Sequence, residues 1–343
     1  MCLVPAHNEQ DNIANTIRSL LSQTRTPDLV IVIADNCTDD TVAIARTCDV
    51  TVMETSGNQD KKAGALNQAF AECLEFLGDD DAVLVMDADT NLDDSFLFFA
   101  EAQLDAGFAA VGGTFTGDPG AGFVGMLQRN EYARYARDVG RRKGKALVLT
   151  GTATVLTVAA LNSVLRARAQ GWLPGPVEVY DTHVLTEDNE LTLALLHLGW
   201  PIIAPQECHM TTEVMGTWGD LYRQRLRWKR GALENLVDYG WTKITAKYWA
   251  RQLWTFIGCL VTTAYVLSLL ISLTSDHMIR LHPLWLAVTA IFAIERVITV
   301  RSRGVWQMLV SAVLIVEMPY DLYLQAVHGK ALFDVAMRRE RAW

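Results

Sequence analysis

Three acidic clusters stand far apart in this chain, and each pairs carboxylates with a position where they could meet a phosphorylated ligand. Asp87-Ala88-Asp89 follows the apolar run Val83–Met86 directly. Two carboxylates one residue apart at a strand end can share a divalent cation that also grips a diphosphate. Mg2+ and Mn2+ both favour oxygen ligands and often complete their shells with substrate phosphates. An isolated acidic pair is more commonly a solvated turn; the buried strand in front of it brings the metal reading level with that one. In Asp35-Asn36-Cys37-Thr38-Asp39-Asp40-Thr41, Asp35 ends the run Leu29–Ala34 and could accept hydrogen bonds from a base or ribose. Asp39 and Asp40 are explained equally well as helix caps. Thr186-Glu187-Asp188 precedes a helical segment. A carboxylate there can act as a general base toward an acceptor hydroxyl, although a cap with favourable helix-dipole charge is the simpler account of these residues alone.

Two strings supply cations. Lys61-Lys62-Ala63-Gly64-Ala65-Leu66-Asn67 puts a lysine near a helix start, where it could act as a point charge on phosphate oxygens or sit in a solvated loop. In Gln224-Arg225-Leu226-Arg227-Trp228, Arg227 could neutralise a departing diphosphate and Trp228 could offer a flat face to a sugar ring. A basic amphipathic helix on a membrane surface accounts for the same string.

The elements that must position these groups alternate between strand-like and helix-like runs, the pattern of an α/β sheet with helices on its faces. Strands are expected at Cys2–Pro5, Leu29–Ala34, Thr51–Glu54 and Ala82–Met86, and helices over Asp11–Gln23, Thr41–Cys48 and Ala63–Leu77. Polar residues follow the apolar runs each time: His7, Asn8 and Glu9, then Asp35, then Asp87 and Asp89. Ligands of open α/β sheets bind beyond the carboxyl ends of strands, so this placement marks a nucleotide site. Farther on, Phe123–Val139 and Asp188–Leu198 read as helices, and Ala146–Val158 as a strand interrupted at Gly151.

Composition sets the setting. Of 343 residues 50% are hydrophobic and 20% charged, and the net charge is −9. That balance excludes nucleic acid as the main partner, because a phosphate backbone calls for clustered Lys and Arg. The six cysteines lack zinc-type or C-x-x-C spacing, so free thiols in a cytoplasmic catalytic part are expected. The first ten residues carry no secretory signal. Leu253–Thr274 holds 22 residues without a charge, about 33 Å as a helix, which suits a bilayer core of roughly 30 Å. Leu284–Val300 and Val305–Val327 are weaker candidates because Glu295, Arg296, Glu317 and Asp321 interrupt them. The basic stretch Arg223–Arg251 and the Arg301–Arg303 loop would both face the cytoplasm if the first two segments span. The last segment then lies in the interface or turns back.

Taken in order, Val4-Pro5-Ala6-His7-Asn8-Glu9, Asp35, Lys62-x-x-Ala65-Leu66-Asn67, Asp87-x-Asp89, Thr186-Glu187-Asp188 and Gln224-x-x-Arg227-Trp228 resemble family 2 glycosyltransferases. The likeness is to the processive branch with cellulose, chitin, hyaluronan and poly-N-acetylglucosamine synthases, and it covers about residues 1–250. It implies a GT-A α/β fold, with a mostly parallel sheet flanked by helices, followed by a membrane region. The expected division is a catalytic domain over 1–222, basic interfacial helices over 223–252, and two to three transmembrane helices with a basic tail over 253–343. The implied reaction is a single inverting displacement from a UDP-sugar, glucose or N-acetylglucosamine, onto a saccharide acceptor. By resemblance, Asp35 and Asp87 hold the nucleotide, Asp89 ligates Mn2+ or Mg2+, and Asp188 is the base beside Glu187. Lys62, Gln224, Arg227 and Trp228 meet the donor diphosphate and acceptor, and Gly151-Thr152 is similar to the acceptor segment. The implied location is the cell membrane, multi-pass, with the catalytic domain in the cytoplasm. Few apolar segments are present for a complete translocation channel, so a homo-oligomer, an accessory subunit, or a short or lipid-linked acceptor is expected. An inactive nucleotide-binding scaffold is the alternative that intact Asp89 and Asp188 oppose.

Overall fold

The computed structural model describes residues 1–274 and 283–340. The chain divides into two compact units, the first made of 1–120 and 135–214 and the second of 121–134 and 215–342. In the first unit the order is β1 (Cys2–Ala6), α1 (Ile13–Leu21), β2 (Val30–Ala34), α2 (Thr41–Arg46), β3 (Thr51–Glu54), α3 (Lys61–Cys73), β4 (Ala82–Met86), β5 (Thr90–Leu92), α4 (Phe96–Asp105), β6 (Ala110–Gly112) and β7 (Thr114–Gly117). Helix α5 (Gly122–Arg141) begins in the second unit and ends in the first. Then follow β8 (Ala153–Thr157), α6 (Val158–Ala169), α7 (Glu187–His197), β9 (Ile202–Ile203) and β10 (His209–Thr212).

Seven strands form one sheet in the order β3-β2-β1-β4-β8-β6-β9. The four on the β3 side are parallel, as the β-branched runs predict, while β8 runs antiparallel to both β4 and β6. Strands β1 and β2 are buried along their whole length, which is why they read as continuous apolar runs rather than alternating ones. Helix α1 buries Ile13, Thr16, Ile17 and Leu20 on one face, the spacing of a 3.6-residue period. Each buried aliphatic side chain there contributes roughly 1.5–3 kcal/mol.

Register brings the carboxyl ends of the parallel strands to one edge. Ala6 pairs with Ala34 and Ala34 with Glu54, so His7, Asp35 and Thr55 emerge side by side. Because β8 is antiparallel and Ala153 pairs with Met86, the residues just before β8 lie beside those just after β4. That places Thr150-Gly151-Thr152 next to Asp87, and the Asp87 amide donates to the Thr152 carbonyl at 3.0 Å. A second sheet, β5-β10-β7, has no counterpart in the sequence expectations. Its antiparallel pairing of Thr212 with Thr90 sets Glu213 beside Asp89.

The second unit adds α8 (Trp218–Tyr239), α9 (Ala246–Thr274), α10 (Pro283–Val300), α11 (Val305–Ala312) and α12 (Leu314–Ala336). The expected domain boundary at 222/223 falls inside α8, whose N-cap Thr217 accepts from the Asp220 amide. The segment expected to span a bilayer, Leu253–Thr274, is the carboxyl-terminal part of α9. Among the described residues no single helix is long and apolar enough to cross a membrane; α11 with Glu317–Ala336 meets the length and composition together but is bent by 70°. All six cysteines are free thiols.

Candidate active site

Asp35 ends β2 and is 6% exposed. Its Oδ1 accepts from Thr55 Oγ1 at 2.8 Å, Asn58 Nδ2 at 2.8 Å and Asn36 Nδ2 at 3.1 Å. One oxygen of the carboxylate is thus held by three donors, which fixes the plane of the group. Asn58 reaches it because Gly64 lets α3 approach: a Cβ on Gly64 would stand 2.1 Å from Asn58 Oδ1. His7 Nδ1 lies 2.6 Å from the Asp35 carbonyl oxygen.

A cleft of about 520 Å³ opens beyond these strand ends, lined among others by His7, Glu9, Asp35, Lys62, Asp87 and Asp89. Three residues around it, Asn8, Asn36 and Lys61, have φ of 57°, 47° and 54°. Left-handed backbone disfavours side chains other than Gly and Asn, and such strain concentrates at functional sites. Lys61 is the most costly of the three, and its turn delivers Lys62 into the cleft wall.

Asp87 and Asp89 have opposite surroundings. Asp87 Oδ1 accepts from Lys62 Nζ at 2.6 Å. Asp89 has no cation partner among the described residues; burial, then Asp87, Glu9 and Glu213, push its carboxyl up to about 7, while a hydrogen bond from Thr90 opposes the rise. A carboxylate so placed lacks positive charge, which a divalent cation would supply. Among the described residues no three carboxylate, imidazole or thiol groups form a metal cage by themselves. A cation held by Asp89 would therefore draw its remaining ligands from water or substrate oxygens, the habit of Mg2+ and Mn2+ at diphosphates. The residues fit such a shared site.

Lys62 joins this cleft to a smaller pocket containing Gly151, Tyr180, Glu187 and Asp188. Its Nζ donates to the Gly151 carbonyl at 3.2 Å and lies 3.3 Å from Glu187 Oε1. Burial opposes its charge, but Asp87, Glu187 and Asp188 outweigh that, so the ammonium is held well above its usual range. The Gly151 amide donates to Asp188 Oδ2 at 2.8 Å, and the Asn189 amide to Oδ1 at 2.7 Å. Burial and then Glu187 nonetheless push the Asp188 carboxyl up to about 6. A Cβ at Gly151 would meet Lys62 Nζ at 2.8 Å, so any larger residue would displace that ammonium.

The structure therefore brings Asp35, Lys62, Asp87, Asp89, Gly151, Thr152, Glu187 and Asp188 to one end of the sheet. Thr152 joins through its backbone, and its hydroxyl pairs with Thr150 at 2.7 Å. Gln224, Arg227 and Trp228 belong to α8 in the other unit. Sequence reasoning missed Glu213, Thr55, Asn58 and Tyr180. Glu213 had one signal, a carboxylate just after the short run His209–Thr212. Asn58 and Tyr180 had none, because loops bring them in.

Residues 1–165 match the family model described as glycosyl transferase family 2. Among curated proteins, the chain is 26% identical over 258 residues to a poly-β-1,6-N-acetyl-D-glucosamine synthase of Staphylococcus epidermidis, covering 71% of this chain and 57% of that one. A Staphylococcus aureus protein of the same name is 26% identical over 257 residues, covering 72% and 58%. The chain thus spans a little over half the length of these relatives. Among solved structures, a mannosyltransferase from Pyrobaculum calidifontis in complex with GDP-Man and Mn2+ is similar with a TM-score of 0.64 at 16% identity, covering 99% of this chain and 87% of that one. With the sheet order, these findings show a GT-A α/β fold in which residues 1–165 carry the match to glycosyl transferase family 2.

Proposed function

We propose that the chain is an inverting transferase that uses Mn2+ or Mg2+ and moves a sugar, glucose or N-acetylglucosamine, from UDP onto a saccharide acceptor with a β-linkage. The observation that carries this reading is the continuity of the site. Asp35, Asp87 and Asp89 line one cleft, and Lys62 leads from it to Asp188. Asp35 faces the uridine, and Asp87 with Lys62 bounds the diphosphate end. Asp89 would hold a divalent cation, which would supply charge neutralisation at the diphosphate. Asp188 accepts the proton of an acceptor hydroxyl as that oxygen attacks the anomeric carbon. The bond from this carbon to the diphosphate oxygen breaks, and UDP leaves with the electron pair. A carboxyl poised near 6 is deprotonated at neutral pH and still basic enough for general-base work. Glu187 raises that basicity, while the Gly151 and Asn189 amides fix the direction of the lone pairs.

The curated relatives are named for a β-linked N-acetylglucosamine polymer, which favours that sugar and a saccharide acceptor. Gln224, Arg227 and Trp228 are assigned to the donor diphosphate and acceptor end. The second unit is read as the membrane part, with catalysis on the cytoplasmic face. Supporting this are Trp254, Val261 and Ile271 of α9, each more than 60% exposed, and the basic stretch before them, where lipid and anionic headgroups offer partners. The saccharide acceptor can itself be lipid-linked, and a second copy or an accessory subunit completes any path for a long product.

The test is release of nucleoside diphosphate, UDP or GDP, by membranes carrying the protein, with Mn2+ and a panel of UDP-sugars, and with GDP-Man included because a structural neighbour was solved with it. Release from one UDP-sugar above the others is expected. Turnover of GDP-Man alone would overturn the donor assignment, and product length on a gel separates repeated from single addition.

A further inference from the structure

Arg225 sits in the middle of the Gln224–Trp228 string, yet the proposed reaction gives it no task. It is 2% exposed, an unusual place for a guanidinium. Its Nη2 donates to Glu131 Oε2 at 2.9 Å, and its Nη1 to Gln224 Oε1 at 2.8 Å. The guanidinium carbon lies 4.4 Å from the centre of the Trp228 ring and 5.6 Å from that of Tyr132. Tyr320 of α12 donates to the same Glu131 oxygen at 2.5 Å. Burial would raise the Glu131 carboxyl, but Arg225 and the Tyr320 hydroxyl hold it below the usual carboxylate range. Helices α8 and α12 and the first part of α5, all in the second unit, thus meet at the Arg225–Glu131 pair.

A buried ion pair is seldom the most stabilising filling for a core, and its attested use is to fix an arrangement. The arrangement fixed here includes both neighbours of Arg225 that face a ligand in the proposed reaction. Trp228 is one helical turn away, and Arg225 covers part of its ring while the residue stays 36% exposed. The Gln224 carbonyl oxygen is occupied by Arg225, which leaves its amide N–H groups to meet hydroxyl oxygens of the acceptor. A Lys could keep the charge at this position but not the two parallel donors or the planar stack.

We propose that Arg225, anchored by Glu131, is a positioning residue that presets the Trp228 ring and the Gln224 amide for the acceptor saccharide. The inference rests on the reading of Trp228 as an acceptor contact, and one variant checks that reading separately. The experiment uses the full chain in detergent, a β-1,6-linked N-acetylglucosamine oligosaccharide as acceptor probe, and 5-fluorotryptophan labelling. The Trp228 resonance is assigned with Trp228→Phe. In Glu131→Gln and Arg225→Lys this resonance is expected to shift or broaden, with acceptor KM rising about tenfold, the scale of a lost cation–π contact and its hydrogen bonds. The KM for donor and the slow acceptor-independent hydrolysis stay near wild type. Glu131→Gln preserves the shape of the site, so a preserved melting midpoint in that variant separates positioning from folding. An unchanged Trp228 resonance in both variants, or an unchanged acceptor KM in both when Trp228→Ala does raise it, overturns the proposal. If Trp228→Ala leaves acceptor KM unchanged, the acceptor reading of that residue fails, and the fluorine spectrum alone still decides whether Arg225 sets the ring.

Discussion

In the proposed reaction Asp188 is the residue on which the chemistry turns, and its surroundings dictate how it should respond to change. Asp188→Asn keeps the size and one of the two backbone contacts, because its amide nitrogen cannot accept from an N–H, and it removes the basic lone pair. Turnover should fall about 10²–10⁴-fold, the range of general-base catalysis, while UDP binding measured by calorimetry stays within a few-fold of wild type. Retention of near-full activity would end the assignment. The pH dependence has a defined sign. Burial and Glu187 raise the Asp188 carboxyl to about 6, above its unfolded value, so the group takes up a proton as pH falls through 6 and activity falls with it. Asp89 is raised to about 7, and protons compete there with the cation. Mn2+ affinity, read by calorimetry with UDP present, should therefore drop as pH is lowered from 8 to 6, and Asp89→Ala should abolish that dependence together with most of the affinity.

At the scale of elements, two contacts decide whether the strand ends meet correctly. Helix α3 packs close enough to touch Asn58 only because residue 64 lacks a Cβ. In an exposed helix Gly→Ala stabilises by about 1 kcal/mol. Here Gly64→Ala should instead push Asn58 off Asp35 and weaken UDP binding, with circular dichroism nearly unchanged. Unaltered UDP affinity would show that the Asn58–Asp35 contact carries no part of nucleotide binding. The second contact is the fully buried pair Arg168–Glu190 at 2.5 Å, linking α6 to α7. Arg168 also donates to the Glu178 and Val179 carbonyls, fixing the loop that carries Tyr180 to the small pocket. Arg168→Met leaves a carboxylate buried without its partner and should destabilise by about 3–5 kcal/mol, visible as a lowered melting midpoint.

For the whole molecule, the separating question is what the exposed apolar side chains of the second unit touch. Trp254, Val261 and Ile271 on α9 and Trp306 on α11 are each more than 60% exposed, far from the composition of a solvated surface. If they lie in lipid, the full chain should sediment with membranes, resist extraction by high salt or alkaline carbonate, and require detergent for release. Release by salt alone would reduce the association to the basic stretch around α8 and remove the spanning helices from the proposal.

The parallel half of the sheet was legible in the amino-acid sequence because β1, β2 and β4 are buried along nearly their whole length and spell apolar runs, while the half-exposed edge strand β3 showed as a short stretch between turns. Thr51–Glu54 and Ala82–Met86 match the structure residue for residue. The acidic residues that follow those runs were legible for the same reason, since an abrupt change from apolar to polar marks a strand end. What lay beyond sequence was which strand ends adjoin. The antiparallel insertion of β8 brings Gly151 to Lys62 and Asp188, and the small second sheet brings Glu213 to Asp89. Both depend on pairings between segments from about 70 to over 120 residues apart, and local composition does not encode such partners. The raised carboxyls of Asp89 and Asp188 likewise come from burial and neighbouring charge, which exist only once the chain is folded.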